Sequence, residues 1–325
     1  MGGYKTHLLN FRTPELLNSR THLLPFEWVV LAYALLTTVY VLFFWGRLVE
    51  PWPMLWWRVG SIATTLLLWQ AYCRWPNRWT MMLRVGAQLV MLSWWYPDTY
   101  ELNRIWPNLD HVFASCEQWV FGSQPALWLS QKYSSAWVSE LLSLGYVSYF
   151  PMIASVAVYY AFFRYERLAY AAFVILGSFF LFYVVFVALP VAGPQFYFQA
   201  VGCDKIAAGV FPDVGNYFLT HRESLPAPGQ EGGFFHQLLL ITHAAGERPT
   251  AAFPSSHVGI CTVLLWLAWE ARSRRLFLFL LPLAILMFFA TFYVQAHYVI
   301  DAVSGLLAGT LFYCFLNWIY RIQTK

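Results

Sequence analysis

Charge is what this sequence has least of. Asp, Glu, Lys and Arg make up 11% of 325 residues, less than half of the roughly 25% in an ordinary soluble domain. Such a chain cannot cover a water-facing surface of its own size, which excludes a cytosolic enzyme and a disordered regulator. The 20 Lys and Arg against 16 Asp and Glu leave a net charge of only +4, too scattered for the basic face that nucleic acid requires. Cysteine is nearly silent. Cys73, Cys116, Cys203, Cys261 and Cys314 form no CxxC and no metal-type spacing, and a thiol in an apolar run behaves as a small hydrophobe. Only Cys116 and Cys203 sit in polar segments, and a free thiol is the plainer expectation for both. Also missing are an internal repeat, a low-complexity segment, a second soluble domain and a signal-peptide apolar stretch before the first long hydrophobic run.

What is present is apolar: 59% hydrophobic, 20% aromatic, mean hydropathy +0.52. A membrane-crossing helix needs about 20 apolar residues. Eight stretches qualify, at 26–45, 55–72, 81–96, 136–163, 168–189, 256–269, 276–296 and 298–320. The third and sixth are short, and Arg58 and Arg84 stand near the ends of their stretches, where a long side chain can reach the interface. Trp94, Trp95 and Tyr96 read as interface anchors. The expected fold is an all-α polytopic bundle of about eight transmembrane helices.

Basic residues occupy every second connection: Lys5, Arg12 and Arg20, then Arg74 and Arg78, Arg164 and Arg167, Arg272, Arg274 and Arg275, and finally Arg321 and Lys325. The two long connections, 97–135 and 191–254, are acidic on balance. Positive residues stay on the cytoplasmic side, so both termini are expected there and both long loops outside.

Ionisable groups at membrane depth are expensive and mark function by default. Two segments supply them: Phe253-Pro254-Ser255-Ser256-His257 opening the sixth stretch, and His297-Tyr298-Val299-Ile300-Asp301 opening the eighth. His257 lies about 22 Å of helix ahead of the Arg272 turn, and His297 about 31 Å beyond Leu276. Both histidines therefore reach the same outer face. His297 and Asp301 share a helical face. Such a set suits phosphoryl transfer: one neutral imidazole attacks phosphorus with a carboxylate orienting its ring, and a second histidine protonates the departing alkoxide. His297, Asp301 and His257 fit these roles, while the Ser255 and Ser256 hydroxyls and the nearby helix N-terminal amides can hold phosphate oxygens.

These residues resemble the type 2 phosphatidic acid phosphatase superfamily of membrane lipid phosphatases and phosphotransferases. Pro254-Ser255-Ser256-His257 is similar to its second motif, Pro-Ser-x-His, and His297 to Asp301 is similar to its third, His-x3-Asp. The resemblance implies a nucleophilic His297 with Asp301 as partner and His257 as acid, no metal and no cofactor, and a six-helix core made by the third to eighth stretches. Residues 1–80 would be an addition of two helices to a catalytic core at 81–325. The phosphatase form of the third motif opens with Ser-Arg, where this chain has Ala290 and Thr291. The first motif, Lys-x6-Arg-Pro, is absent, and Pro190 to Gln195 stand in its place. A His-Tyr-x-x-Asp motif without the arginine is similar to the inositolphosphotransferase and sphingomyelin-synthase branch. Residues 109–125 and 146–149 carry a fainter likeness to the inositolphosphotransferases.

The resemblance thus implies transfer of a phospho-headgroup, of inositol-phosphate type, from a phospholipid to a lipid alcohol, with membrane lipids as donor and acceptor. Hydrolysis of a lipid phosphate is the alternative. A transporter relaying protons through buried His and Asp fits less well, because the ionisable residues gather at one face. A metal site at His243, His257, His297 and Asp301 lacks short spacings beyond the last pair.

Some cation must still offset phosphate charge. Arg248 is the best placed, unless it is a solvated loop residue paired with Glu247. Gln195 could donate to phosphate or simply end a helix, the latter being the plainer expectation. Lys205 and Arg222 are weaker choices, His243 reads as a loop histidine, and Glu140 as a hydrated acid near the interface. The lack of Asn-x-Ser/Thr sites and of a signal peptide leans towards a bacterial inner membrane.

Overall fold

The computed structural model describes residues 22–229 and 232–323, so Lys5, Arg12, Arg20 and Lys325 lie outside the described residues. In chain order the helices are α1 (Pro25–Phe43), α2 (Pro51–Arg74), α3 (Arg78–Asn103), α4 (Asp110–Phe121), α5 (Pro125–Lys132), α6 (Ala136–Val147), α7 (Tyr149–Phe163), α8 (Leu168–Ala188), α9 (Pro194–Val201), α10 (Cys203–Ala207), α11 (Phe234–Gly246), α12 (Ser256–Glu270), α13 (Arg274–Tyr293) and α14 (Val299–Gln323). No strand occurs among the described residues.

Each of the eight predicted stretches is helical, the fourth as the pair α6 and α7. The α1, α8, α13 and α14 segments are long and apolar enough to cross a membrane, and α6 with α7 is so too when the pair is taken as one segment bent by 43°. The chain is an integral membrane protein built as a polytopic helical bundle. Pro151, the third residue of α7, explains the bend, because its ring clashes with the Val147 carbonyl four residues earlier and supplies no N–H. Ser148 at the break donates to the Gly145 carbonyl at 2.7 Å. Helices α2 and α3 match α13 in length but carry Trp, Gln and Arg, while α12 is apolar and shorter.

Helix α8 is apolar on all sides and sits at the centre, packed against α1, α3, α7, α12 and α14, as expected of a helix with no polar face. Around it, α12 contacts α14 along a seam of glycines. A Cβ on Gly305 would lie 2.3 Å from the Ser255 carbonyl oxygen, and one on Gly309 the same distance from that of Gly259. Gly305 and Gly309 form a GxxxG pair, which lets backbones approach in a membrane.

Two expectations are corrected. Arg58 and Arg84 do not reach for the interface: both are fully buried, in two-pronged ion pairs. Arg58 donates to Asp98 at 2.7 and 3.1 Å, and Arg84 to Glu27 at 2.6 and 2.9 Å. A guanidinium inside apolar surroundings is held by a partner carboxylate, and neighbouring helices supply one each. Trp95 is likewise core, packed edge-on to Tyr33, whereas Trp94 is exposed.

The two ends of the bundle differ. At one end the basic connections tie helices together: Arg164 donates to the Ala271 carbonyl at 3.2 Å, and Arg167 pairs with Glu270 at 2.8 Å. At the other, the two long connections interlock. Asn108 N–H donates to the Gly215 carbonyl, and Leu109 N–H to that of Pro190. Between the predicted crossings these connections fold into α4, α5, α9, α10 and α11. Cys116 and Cys203 are separate free thiols.

Candidate active site

The interlocked end gathers the two histidine segments. Ser255 caps α12, its hydroxyl accepting from Val258 N–H at 3.4 Å, and its own N–H donates to the Asp301 carbonyl at 3.0 Å. That bond and the glycine seam set the start of α12 directly against the start of α14. As a result His257 Nδ1 and His297 Nε2 face each other at 3.3 Å. Tyr146 stacks on the His257 ring at 4.8 Å and Tyr149 lies against it at 4.5 Å.

His297 is buried, and its Nδ1 lies 2.7 Å from the Ala252 carbonyl oxygen. A carbonyl only accepts, so Nδ1 carries the proton and Nε2 presents its lone pair. Burial pulls the His297 pKa down to about 4, against smaller upward contributions from the Ala252 bond and the Glu247 charge. The ring is therefore a neutral nucleophile near neutral pH.

Asp301 stands 3.8 Å from the same Nδ1, outside hydrogen-bonding distance. One of its oxygens accepts from Tyr298 N–H at 2.8 Å, and the other is buried without a partner among the described residues. The carboxyl group is thus one step behind the carbonyl as partner to the imidazole. It fixes the turn that carries His297.

Two further acids, on the first long connection, hold this turn. Glu117 on α4 accepts from Val299 N–H at 2.9 Å and Ile300 N–H at 3.1 Å, capping α14 from outside. Burial raises its pKa to about 7 although those two bonds oppose the shift. Asp110 accepts from Ala192 and Gly193 N–H, from the Asn108 amide and from the Tyr298 hydroxyl, between 2.6 and 3.0 Å. Burial pushes its pKa up as well. The spacing of Asp110 and Glu117, two turns apart on α4, is the signal that could have found them, had the first long loop been read as helical.

Gln195 ends no solvated helix; it is buried, its Nε2 donates to Glu247 and its Oε1 has no partner among the described residues. Glu247 also accepts from the Tyr146 hydroxyl at 2.7 Å. His243 belongs to α11 rather than a loop, with Nε2 3.3 Å from Glu247 but not aligned for a hydrogen bond. Arg248 is half-buried and donates to the Glu247 main-chain carbonyl at 3.0 Å, forming no ion pair with a carboxylate among the described residues. Ser256, the first residue of α12, is buried beside His257. The weaker choices fall elsewhere: Lys205 is exposed on α10, Arg222 is 3.7 Å from Glu101, and Glu140 caps α11 by accepting from Phe235 and His236 N–H.

The arrangement is a neutral imidazole whose Nε2 lone pair faces a second imidazole, with a set of backbone and hydroxyl groups around them, at one end of a membrane bundle. Neither a curated protein nor a solved structure matches the chain. A family comparison does: residues 111–315 match the PAP2 superfamily. The matched segment takes in well over half of the sequence and contains His257, His297 and Asp301, so the chain belongs to the PAP2 superfamily, a group of phosphatases and related phosphotransferases.

Proposed function

We propose that this protein is a lipid phosphotransferase that moves a phospho-headgroup, of inositol-phosphate type, from a phospholipid to a lipid alcohol through a phosphohistidine at His297. The observation that carries this reading is the 3.3 Å approach of His297 Nε2 to His257 Nδ1 with His297 Nδ1 tied to a main-chain carbonyl.

In the first half-reaction the substrate phosphate enters between the two rings, and its negative charge favours the imidazolium form of His257. The Nε2 lone pair of His297 forms a bond to phosphorus as the bond from phosphorus to the diacylglycerol oxygen breaks. His257 gives that oxygen its Nδ1 proton and becomes neutral. The phosphorylated His297 ring is now cationic, stabilised by the Ala252 carbonyl and by the nearby Asp301 carboxyl group. In the second half-reaction His257 takes the proton of an acceptor hydroxyl as its oxygen attacks phosphorus, and the P–N bond breaks. Both histidines return to their starting states. Ser256 and the first amides of α12, which lack intrahelical acceptors, hold phosphate oxygens, and Arg248 reaches them by turning away from the Glu247 carbonyl.

Transfer is favoured over hydrolysis by two features. Ala290 and Thr291 are fully buried on α13 where a phosphatase-type motif carries its cation, and His297 is shielded from water, which protects the intermediate. The core is assigned to residues 81–325, with α1 and α2 as additions. The site is assigned to the outer face, both termini to the cytoplasm and the membrane to a bacterial inner membrane, since the basic connections cluster at the opposite end.

The test is turnover in detergent of a phospholipid labelled in its phosphate, with and without ceramide or diacylglycerol, for wild type and His297→Ala. Label entering a new lipid only with wild type and only with acceptor supports the reading. Label released as a water-soluble phosphate makes the protein a hydrolase, and equal behaviour of the variant removes the phosphohistidine.

A further inference from the structure

One carboxylate at this site is unexpected for an enzyme of phosphate esters. Glu247 is mostly buried and is linked to the His257 to His297 pair through Tyr146, whose ring stacks on the His257 imidazole at 4.8 Å while its hydroxyl donates to Glu247 at 2.7 Å. A phosphate anion alone would be repelled there.

The atoms around Glu247 say what would be welcome instead. The Gln195 amide must turn its Nε2 to the carboxylate, because the reverse orientation would set oxygen against oxygen. Gln195 is only 4% exposed, and its Oε1 is left buried with no partner among the described residues. His243 Nε2 is also buried, 3.3 Å from Glu247 and without a hydrogen bond among the described residues. A buried acceptor without a donor costs free energy comparable to a lost hydrogen bond. The Gln195 oxygen and the Glu247 carboxylate thus form an acceptor-rich corner one ring away from the reacting nitrogens.

Building on the transfer reading above, we propose that Glu247 and Gln195 form the headgroup subsite, and that it selects phosphodiester lipids whose headgroup donates hydrogen bonds. Hydroxyls of a polyol or the N–H groups of a primary ammonium satisfy Gln195 Oε1 and Glu247 together. A trimethylated ammonium offers charge without donors. A phosphomonoester offers neither, and its second negative charge faces Glu247. Specificity here includes rejection: the carboxylate excludes phosphatidate as well as holding the preferred headgroup.

The proposal is tested by binding, so that it does not depend on chemistry. Short-chain phosphatidylinositol, phosphatidylethanolamine, phosphatidylcholine and phosphatidate are titrated onto the detergent-purified full chain carrying His297→Ala, with and without Glu247→Gln, and the shift in thermal midpoint gives each affinity. The expected order places the inositol or ethanolamine lipid at least tenfold tighter than the choline lipid, and phosphatidate weakest. The gap between the inositol and ethanolamine lipids tells a polyol from a primary amine. Glu247→Gln is expected to narrow the gap between the preferred lipid and phosphatidate by about tenfold, with phosphatidate binding more tightly than to the parent protein, a gain that simple loss of structure does not give. Choline and inositol lipids bound equally, or phosphatidate bound best, would overturn the proposal. Should Glu247→Gln prove too unstable to titrate, the order in the parent protein decides. Turnover of wild type without this selectivity removes the headgroup subsite and leaves the transferase, whereas the expected binding order without turnover removes the transferase and leaves the subsite.

Discussion

His297 Nδ1 lies 2.7 Å from the carbonyl oxygen of Ala252. The nucleophile is therefore oriented by main chain, which side-chain substitution cannot delete, and Asp301 at 3.8 Å acts from behind. Ala251, just before this carbonyl, has φ +67°, and Ala252 N–H donates to the Val191 carbonyl. The segment ahead of the second motif is thus anchored to the second long connection, and the carbonyl is a built part of the site.

Asp301→Asn is expected to slow turnover by about 10- to 100-fold, well short of the roughly 10⁴-fold seen where a carboxylate alone sets a histidine tautomer. His297→Ala should abolish it. The comparison is of kcat in one detergent preparation, with unfolding midpoints measured alongside. A loss from Asp301→Asn as complete as that from His297→Ala would return the orienting role to the carboxylate.

The general-acid role of His257 has a leaving-group signature. Diacylglycerol alkoxide needs a proton on departure, whereas a nitrophenolate does not. His257→Ala is expected to cost about 10²- to 10⁴-fold with a natural phospholipid and much less with a short-chain nitrophenyl phosphodiester, as followed by nitrophenolate release. Equal losses with both would show that His257 only shapes the site.

Glu117 and His297 make opposite contributions to stability against pH. The folded pKa of Glu117 is about 7 against an ordinary 4.5, so the folded state holds its proton more tightly. This contribution is full below pH 4.5 and is lost as pH rises through 7. The folded pKa of His297 is about 4 against an ordinary 6.5, so the unfolded chain binds more protons in that window and stability rises with pH across it. Glu117→Gln keeps an acceptor for one of the two α14 amides and removes only the first contribution. Its thermal midpoint should climb more steeply than that of wild type between pH 4.5 and 7, and Glu117→Ala should cost about 1 kcal/mol more as the cap is lost. A midpoint profile in Glu117→Gln parallel to wild type would show that Glu117 does not titrate there.

Much of this is legible in the sequence. The helices stand where the apolar runs lie because a lipid-facing helix has to be apolar over its length, and the two histidine motifs meet because each opens its helix at the same end. Other features were not legible because they depend on what a distant segment supplies. Arg84 is silent until Glu27, on a helix far back in the chain, is known to face it. Glu117 reads as one more loop acid until its carboxylate is seen on the amides of Val299 and Ile300. The Ala252 carbonyl has no side-chain signal at all. In the sequence Glu247 reads as a partner of Arg248, yet its carboxylate faces Tyr146 and Gln195, and the arginine donates to its main-chain oxygen.

The closeness of the two histidines depends on a residue that does no chemistry. A methyl group on Gly305 would meet the Ser255 carbonyl oxygen at 2.3 Å. That atom is backbone at the cap of α12, two residues before His257, and cannot rotate away. Gly305→Ala must therefore push the start of α12 off α14 and shift His257 out of line with His297, which it faces at 3.3 Å. A misplacement of about 1 Å can cost 10²-fold in rate, and overpacking costs about 1–3 kcal/mol. Leu307→Ala, on the same helix with an exposed side chain, is the control. Turnover is expected to fall about 100-fold in Gly305→Ala and to hold in Leu307→Ala, with both proteins still folded by their unfolding midpoints. Unchanged turnover in Gly305→Ala would mean that the start of α12 can move against α14 without disturbing the alignment of the two histidines that the in-line transfer described above requires.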